Sequence, residues 1–502
     1  MSGDLEIEDP VAQAERERRT HRRVMKSSAI LTSGRMLVYL LSFTRNVILV
    51  RMLTKADFGL AAVFGLTIGM LEVAGRMAFG QQVIQNRAGD SESFLATSHA
   101  FQMIAGLSGA VLIALMSVPL AYLFEVPQCW PSFALLGCVP LCKAFEHLDV
   151  FRQQRELKFL PAAVVEVTPQ LIITLAAWPL TLWLKDYRVI VWLMAGNAAL
   201  AAVMSHLAAE RPYRCAWHRE HGRPMFAFAW PLLLNGLVMF LCQEADQILV
   251  AKSFSLSALA GYSLALTLAS IPFFVFAQTA SSLMLPILSR SQDDVEKYRA
   301  SYRECVSYAA MASVFLLLPL IVAGEQIAML LYGEKYAGVG TVIAVLGAAS
   351  AVRFVRFAPS IAAMARADTV NLLYANLWRA ISLPLAIGVV ATVGGDVVLV
   401  AGCALLAETA AAFFSICRLR QRQGIPLRDN LAAGLFIASF LAIGLGVVFA
   451  GANYWSAWLA SGVTALILAA AIVTSLILFP SAWTLLSRAT GWTWRGRLAS
   501  AA

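Results

Sequence analysis

Arginine residues occur inside segments of the sequence that are otherwise apolar and long enough to cross a bilayer. Arg35 and Arg45 lie in the first such segment, and Arg353 and Arg356 share a helical face in a later one. Arg379 lies near the middle of the next segment. A guanidinium stays charged, is costly in a membrane and binds phosphate in a forked geometry. The five arginines therefore suit a hydrated cavity that binds an anionic headgroup such as a pyrophosphate.

Acidic residues in the same kind of segment offer a second chemistry. Glu244 and Asp246 are two residues apart in one apolar segment, and Glu408 lies in another. Such carboxylates could bind a coupling proton or sodium ion, or hold an arginine in a gate. Pairing of the arginines with these acids across helices is the structural alternative. The sequence leaves both interpretations open.

Motifs of soluble enzymes do not occur in the sequence. It contains no GxxxxGK followed by Ser or Thr, no HExxH and no GxSxG. The cysteines form no CxxC pair, so no metal site and no cofactor is predicted. The net charge of +9 is spread over short segments between apolar blocks, which argues against nucleic-acid binding. The sequence therefore predicts a protein that is not an enzyme.

Composition predicts an all-α integral membrane protein. Apolar residues make up 59% of the chain and charged residues 14%, whereas soluble domains are about 25% charged. The apolar runs are continuous rather than alternating, which indicates helices and not a barrel. We expect about 14 transmembrane helices, near 27–53, 58–80, 96–120, 131–151, 162–184, 189–209, 226–250, 257–285, 304–323, 339–364, 370–393, 396–417, 431–451 and 456–479.

Basic residues predict the orientation of these helices. Lys and Arg concentrate in alternate connecting segments, such as 286–303 and 418–430, whereas 121–130, 394–395 and 452–455 contain none. The positive-inside rule assigns the basic segments to the cytoplasm. Both termini are then cytoplasmic.

An internal repeat predicts the domain organisation. Ile48-Leu49-Val50 recurs as Ile248-Leu249-Val250, and the spacing corresponds to six helices and their loops. An even number of helices makes the two copies parallel. We expect a cytoplasmic polar segment (1–26), an N-lobe of helices 1–6 (27–209), a C-lobe of helices 7–12 (226–417), two extra helices (431–480) and a cytoplasmic tail (481–502).

Several stretches resemble one family of membrane proteins. They are LTSGRMLVYLLSFTRNVILVRMLTKADFGLAAV (31–63), FRQQRELKFLPAAVVEV (151–167), WPLLLNGLVMFLCQEADQILVAKSFSLSALAGYSLA (230–265), LPILSR (285–290), LLYGEKYAGVG (330–340) and MARADTVNLL (364–373). The sequence resembles the oligosaccharide flippases of the polysaccharide-transport group (Wzx type), within the MATE/MOP exporter superfamily. Asp246 stands where that family usually carries an aspartate, and Tyr336 stands where a tryptophan is common.

The resemblance implies a flippase for surface polysaccharide biosynthesis. Its cargo would be oligosaccharide repeat units on undecaprenyl diphosphate, moved by alternating access from the cytoplasmic to the outer leaflet of the bacterial inner membrane. The last two helices would form a groove for the lipid tail. The resemblance also implies a monomer among membrane lipids, working beside a polysaccharide polymerase and a chain-length regulator.

Two other functions, a drug exporter and a glycan-polymerising enzyme, are alternatives to the flippase. A cation-coupled exporter of small drugs would need essential membrane carboxylates but not the last two helices. A membrane enzyme that polymerises the same glycans would be expected to have a sizeable outer loop with arginines and a histidine. The outer loops here are short, which disfavours the polymerising enzyme.

Overall fold

The computed structural model describes residues 33–368, 370–451 and 454–480, except for the side chains of residues 73–78, 232, 235 and 282. The predicted polar segment 1–26, the start of the first predicted helix at 27–32 and the predicted tail 481–502 lie outside the described residues. Within the described ranges the regular secondary structure is helical and no β-strand occurs. The predicted all-α class is confirmed.

Two compact units divide at Leu241 and Cys242, within one long helix. The first unit contains α1 (33–52), α2 (Lys55–Gln85), α3 (Glu92–Leu123), α4 (Trp130–Leu135), α5 (Cys138–Ala144), α6 (Asp149–Arg155), α7 (Leu160–Leu184), α8 (Arg188–Leu207) and the start of α9 (Arg219–Ser253). The second unit contains the end of α9 with α10 (Leu256–Arg290), α11 (Val295–Val322), α12 (Gly324–Tyr332), α13 (Gly340–Ala365), α14 (Val370–Ala380), α15 (Ser382–Val393), α16 (Val397–Gln423), α17 (Arg428–Phe449) and α18 (Ala457–Leu478).

Eleven helical segments of the described chain are long and apolar enough to cross a membrane. They are α3, α7, α8, α9, α10, α11, α13, α14 with α15, α16, α17 and α18. Exposed Leu, Ile, Val, Phe and Trp side chains are abundant on them, as expected of surfaces that face lipid. The chain is thus a multi-pass membrane protein, and the count of fourteen helices stays a prediction.

The predicted span 131–151 differs from the structure. It is broken into α4, α5 and α6, where one continuous helix was expected. Pro140 lies within this segment and has no N–H to give to the helix. Gly137, between α4 and α5, sits so close to α3 that an added Cβ would lie 3.2 Å from the carbonyl oxygen of Ala110.

The predicted span 370–393 also has an internal break. α14 ends at Ala380 and α15 begins at Ser382, with Ile381 in a turn between them. Pro384 lies four residues after Ala380 and cannot donate the hydrogen bond that would continue the helix there. The break at Ile381 therefore lies two residues after Arg379.

Side-chain caps start the second helix of each unit in the same way. Thr54 precedes α2 and its hydroxyl accepts from the N–H of Asp57 at 3.1 Å. Ser255 precedes α10 and its hydroxyl accepts from the N–H of Ala258 at 3.1 Å. A hydroxyl at this position satisfies a backbone donor that the helix itself cannot. The two lobes and their parallel repeat stay a prediction.

Helix α13 forms the centre of the second unit and packs against α10, α11, α16 and α17. Its buried face is rich in alanine and glycine, which allow helices to approach closely in a membrane. Polar contacts add to this packing, since Ser313 of α11 donates to the carbonyl oxygen of Ala351 at 3.0 Å. Tyr302 of α11 donates to the side chain of Asn430 on α17 at 2.7 Å. α13 thus offers a rigid support for any side chain on its remaining face.

Close packing of α3 on α5 generates a stability prediction. A Cβ at Gly106 would lie 2.5 Å from the Cβ of Ala144 and 2.6 Å from the carbonyl oxygen of Pro140. Gly106→Ala is therefore expected to lower the free energy of unfolding by about 1–3 kcal/mol, as overpacking does. Thermal unfolding of the purified protein in detergent measures the change. Gly109→Ala is the control, because its Cβ would meet Pro140 at an ordinary 3.4 Å. Equal melting temperatures for both variants would contradict the close contact.

Candidate functional site

A single buried carboxylate in the second unit contacts three arginines. Glu408 lies on α16 and only 2% of its side chain is exposed. Its Oε1 lies 2.8 Å from an Nη of Arg353 and 2.9 Å from Nε of Arg379, and its Oε2 lies 3.2 Å from Nε of Arg356. We call these four residues the Glu408 cluster. Three guanidiniums thus share the oxygens of one carboxylate.

Helix geometry explains how the arginines converge. Arg353 and Arg356 are three residues apart on α13 and so project from one face, as the sequence predicted. Arg379 reaches the same carboxylate from the last turn of α14, and both helices pack against α16. A second contact orients Arg356, whose Nη1 donates to the side-chain oxygen of Asn376 at 3.4 Å. The cluster therefore ties α13 and α14 to α16.

N–H donors in the cluster outnumber its acceptors. Each guanidinium carries five N–H groups, whereas one carboxylate offers about four lone-pair positions. The guanidinium of Arg353 also lies 5.5 Å from the ring centroid of Phe273, a cation–π contact. The spare donors of three arginines are the chemical feature that an additional anion could use.

A small cavity adjoins the Glu408 cluster. Its volume is about 20 Å³, room for about one water molecule. It is lined by Arg353, Arg379, Glu408, Asp246, Ser382, Ser350, Cys242, Gln243, Ala245, Leu266, Leu346, Ala349 and Ala404. The cavity in this conformation is therefore too small for a diphosphate, and binding of one requires the surrounding side chains or helices to move apart.

Asp246 faces the same cavity from α9. The hydroxyl of Tyr262 on α10 donates to its Oδ2 at 2.6 Å. Glu244 accepts from the amide of Gln247, and Gln247 accepts from the hydroxyl of Ser263 at 2.6 Å. These two carboxylates are thus held by neutral donors, and among the described residues neither forms an ion pair.

Arg35 and Arg45 belong to the first unit. Arg45 is half-buried and its Nη1 donates to the side-chain oxygen of Gln170 on α7 at 3.4 Å. The amide of Gln170 donates in turn to the hydroxyl of Ser42 at 2.8 Å. Arg35 is exposed. Within the part of the chain that the structure describes, neither arginine lies at ion-pair distance from a carboxylate. The predicted roles of both arginines stay predictions.

Sequence reasoning missed the neutral residues of the site. Tyr262, Asn376 and Ser382 carry no charge and occur in no recognisable motif, so their spacing alone gave no signal. The same holds for Gln170 beside Arg45 in the first unit. The structural alternative named for the arginines, pairing across helices, occurs at Glu408. Asp246 and Glu244 do not take part in it within the described residues.

A second network of charges, also unforeseen, lies around α6 in the first unit. Arg152 contacts Asp149 at 2.5 Å, Glu156 at 2.5 Å and Glu210 at 2.8 Å. Lys158 contacts Glu210 at 2.8 Å. Because Glu210 follows α8, this network fixes α6 to the segment that leads toward α9.

The chain matches one known protein family over more than half of its length. The sequence profile described as "Polysaccharide biosynthesis protein" matches residues 48–341. The chain belongs to this family, and the resemblance to the polysaccharide-transport group stated from the sequence is confirmed. The match includes α2 to α12 and the beginning of α13.

Two curated bacterial proteins with similar sequences are named for the biosynthesis of surface polysaccharides. Lipopolysaccharide biosynthesis protein WzxC of Escherichia coli (strain K12) is 22% identical over 332 residues, 64% of this chain and 65% of that protein. The match thus spans slightly under two thirds of the length of WzxC. Teichuronic acid biosynthesis protein TuaB of Bacillus subtilis (strain 168) is 20% identical over 346 residues, 66% of this chain and 69% of that protein.

Solved structures show the fold. Lipid II flippase MurJ in an inward closed conformation superposes with a TM-score of 0.69 at 14% identity, covering 92% of this chain and 99% of that one. An inward-facing multidrug resistance MATE family transporter of the MOP superfamily superposes with a TM-score of 0.61 at 14% identity, covering 82% of this chain and 98% of the transporter. The chain therefore has the MATE/MurJ-like fold.

Removal of the shared carboxylate should destabilise the second unit. Glu408→Gln leaves three buried guanidiniums without a negative partner, and breaking a buried ion pair costs about 3–5 kcal/mol. We expect a clearly lower melting temperature in detergent. Glu334→Gln makes the same chemical change at an exposed position and is the control. A melting temperature equal to that of the control would refute the structural importance of the cluster.

Acid should weaken the network around α6. Burial by itself would raise the pKa of Asp149, but hydrogen bonds from Arg152, the backbone N–H of Glu210 and Gln153 outweigh it and lower the pKa from 3.8 to about 2. A lowered pKa contributes stability above the unfolded value and loses it as pH falls toward the folded value. The gap in melting temperature between the wild type and Asp149→Asn should therefore narrow between pH 5 and pH 2.

The control for this pH dependence is Asp293→Asn, at an exposed position. Its difference from the wild type should stay small and change little over the same range. A constant gap for Asp149→Asn would show that the carboxylate is not held in its charged form.

Proposed function

We propose that this protein is a flippase that moves undecaprenyl-diphosphate-linked oligosaccharide repeat units from the cytoplasmic to the outer leaflet of the bacterial inner membrane. The product would supply O-antigen, capsule or exopolysaccharide biosynthesis. Membership of a polysaccharide biosynthesis family and the MATE/MurJ-like fold support a saccharide linked to a lipid as the cargo class. WzxC and TuaB are named for biosynthesis of lipopolysaccharide and teichuronic acid, which agrees with this class.

The observation that carries the proposal is the Glu408 cluster. Each arginine placed near the centre of a membrane helix costs about 2.5–3.5 kcal/mol, so three together need a compensating role. One carboxylate satisfies part of their hydrogen-bonding capacity, and the rest is available to the oxygens of a diphosphate. Arg353 and Arg379 already line a cavity and are the headgroup ligands we favour, with Arg356 behind them.

Glu408 would act as the gate of this site. In the present conformation it contacts the guanidiniums that a diphosphate would contact, and the cavity has a volume of only about 20 Å³. An entering headgroup therefore competes with Glu408 for Arg353 and Arg379. This competition would couple occupation of the site to separation of α16 from α13 and α14, a local step in alternating access.

Asp246 and Glu244 would couple the cycle to an ion. A diphosphate in the cavity would lie beside the carboxylate of Asp246, and two anions at close range repel each other. Binding of a proton or a sodium ion at Asp246 removes that repulsion, with the hydroxyl of Tyr262 as a neutral neighbour. Glu244, two residues away on the same helix, would receive or pass on the ion.

The remaining parts of the proposal rest on the family resemblance. Arg45, held by the neutral Gln170, and the exposed Arg35 would supply headgroup contacts from the first unit. α17 and α18 would form the groove for the lipid tail. The protein would act as a monomer with cytoplasmic termini, beside a polysaccharide polymerase and a chain-length regulator.

Export of the polysaccharide should depend on Arg353 and Arg379, the two arginines that line the cavity. In Arg353→Gln/Arg379→Gln, Arg356 still pairs with Glu408, so the cluster keeps a one-to-one ion pair and the protein should fold. Loss of two charged hydrogen-bonding partners at about 1.5–3 kcal/mol each should reduce transport roughly 100-fold or more. The measurement is surface polysaccharide in a knockout strain complemented with each variant, together with the leaflet in which lipid-linked units accumulate.

Arg290→Gln/Arg420→Gln, with both changes at exposed helix ends, removes the same charge and should export normally. Normal export by the Arg353/Arg379 variant would show that these two arginines do not bind the headgroup.

In the knockout itself, single units that reach the outer leaflet but never lengthen would show that transport is intact. The polymerising enzyme would then replace the flippase.

A further inference from the structure

A large cleft outside the Glu408 cluster opens between α11, α17 and α18. Its volume is about 610 Å³, within the range of sites that hold small organic ligands. Its walls are formed at the starts of α11 and α17 and at the end of α18. The positive-inside rule predicts that these three helix ends face the cytoplasm. The cleft therefore lies where a membrane helix bundle meets the headgroups of the inner leaflet.

Charge in this cleft is unevenly compensated. Arg299 and Asp429 pair with each other at 3.1 Å. Arg303 and Arg428 also line the cleft and are exposed, and the described structure places no carboxylate at ion-pair distance from either. Glu304 is the other acidic residue of the wall. The cleft thus carries an excess of positive charge and two guanidiniums with free donors.

The C-terminal sequence beyond α18 does not remove this excess. Residues 481–502 contain three arginines and no Asp or Glu. That stretch of sequence can therefore supply no carboxylate side chain to Arg303 or Arg428. Neither the described residues nor this stretch thus provides a carboxylate partner for Arg303 or Arg428, and both guanidiniums can bind an anion from another molecule.

The cleft has a basic face beside an apolar wall, which matches the charged headgroup and the apolar chains of a phospholipid. Arg299, Arg303 and Ser307 follow one another at four-residue intervals along one face of α11. Ala432, Ala433, Leu478 and Phe479 supply an apolar wall beside them. A lipid phosphate could contact the guanidiniums while the glycerol and first acyl carbons lie against the apolar side chains. Basic pockets between membrane helices on the cytoplasmic side bind anionic lipid headgroups in this manner.

We propose that the cleft between α11, α17 and α18 binds the phosphate headgroup of an anionic phospholipid from the cytoplasmic leaflet, with Arg303 and Arg428 as its ligands. This site is distinct from the cavity at Glu408, shares no residue with it and does not depend on the proposed flippase activity. Its occupant is a resident lipid that joins α11 to α17 and α18.

Native mass spectrometry of the full-length protein in detergent tests this site, with phosphatidylglycerol and phosphatidylcholine as the added lipids. The wild type should bind phosphatidylglycerol more tightly. Arg303→Gln/Arg428→Gln should weaken that binding by roughly 10- to 30-fold, since each basic residue near anionic lipid contributes modestly. Arg303→Lys/Arg428→Lys keeps the charge and should retain part of the affinity, which separates lost binding from lost folding.

Arg290→Gln/Arg422→Gln is the matched control, because it removes two exposed arginines from other helix ends. Equal weakening in this control would mean that only overall charge matters, and the cleft would not be the site. Equal affinity of the wild type for both lipids would also overturn the proposal. Displacement of phosphatidylglycerol by an excess of inorganic pyrophosphate would identify a soluble anion as the occupant instead.

Discussion

The contact of Glu408 with three guanidiniums is the interaction on which the second unit depends. It joins three helices at one buried point, where neither the acid nor the bases could remain charged alone without a large cost in free energy. Small residues along α13 let the neighbouring helices come close enough for these contacts. The same contact occupies guanidinium donors beside a cavity of about 20 Å³, so under the proposed gating the stability of this conformation and the accessibility of the arginines would be opposed. The proposed transport would use this opposition, because a site that stayed open in every conformation could not link cargo binding to helix movement.

Asp246 and Glu244 differ from Glu408 because their hydrogen-bond donors are neutral. Asp246 receives a hydroxyl hydrogen bond from Tyr262, and Glu244 receives an amide hydrogen bond from Gln247. Both acids can therefore change their protonation or ion occupancy without breaking an ion pair. Glu408 cannot do so, because its charge balances the arginines. The three acids were equivalent candidates in the sequence, and the structure distinguishes them by their partners, which are arginines for Glu408 and neutral donors for Asp246 and Glu244.

Sequence patterns were sufficient for the class of fold and for part of the site. Continuous apolar runs identify membrane helices because the bilayer demands them, and the three-residue spacing of Arg353 and Arg356 places both on one face of a helix. Other features depend on long-range contacts that spacing does not encode. Arg152 meets Glu210 and Arg45 meets Gln170 only after the helices pack. The break of the predicted span 131–151 accompanies a close approach between α3 and the turn at Gly137, which no hydropathy average can detect. Which arginines would share Glu408 was likewise left open, since the facing sides of α13, α14 and α16 are set by packing.

The joint at Ile381 lies between two residues that line the cavity. Arg379 belongs to α14, whereas Ser382, which lines the same cavity, belongs to α15. Pro384 leaves the carbonyl group of Ala380 without its usual helical donor, so the two halves can change their angle with few hydrogen bonds at stake. A rotation of about 5° at this joint moves the far end of α15, which has 12 residues and is roughly 18 Å long, by about 1.5 Å and shifts Arg379 very little. A hinge at this joint would let the far end of α15 swing while Arg379 and Ser382, on either side of it, keep their places at the cavity.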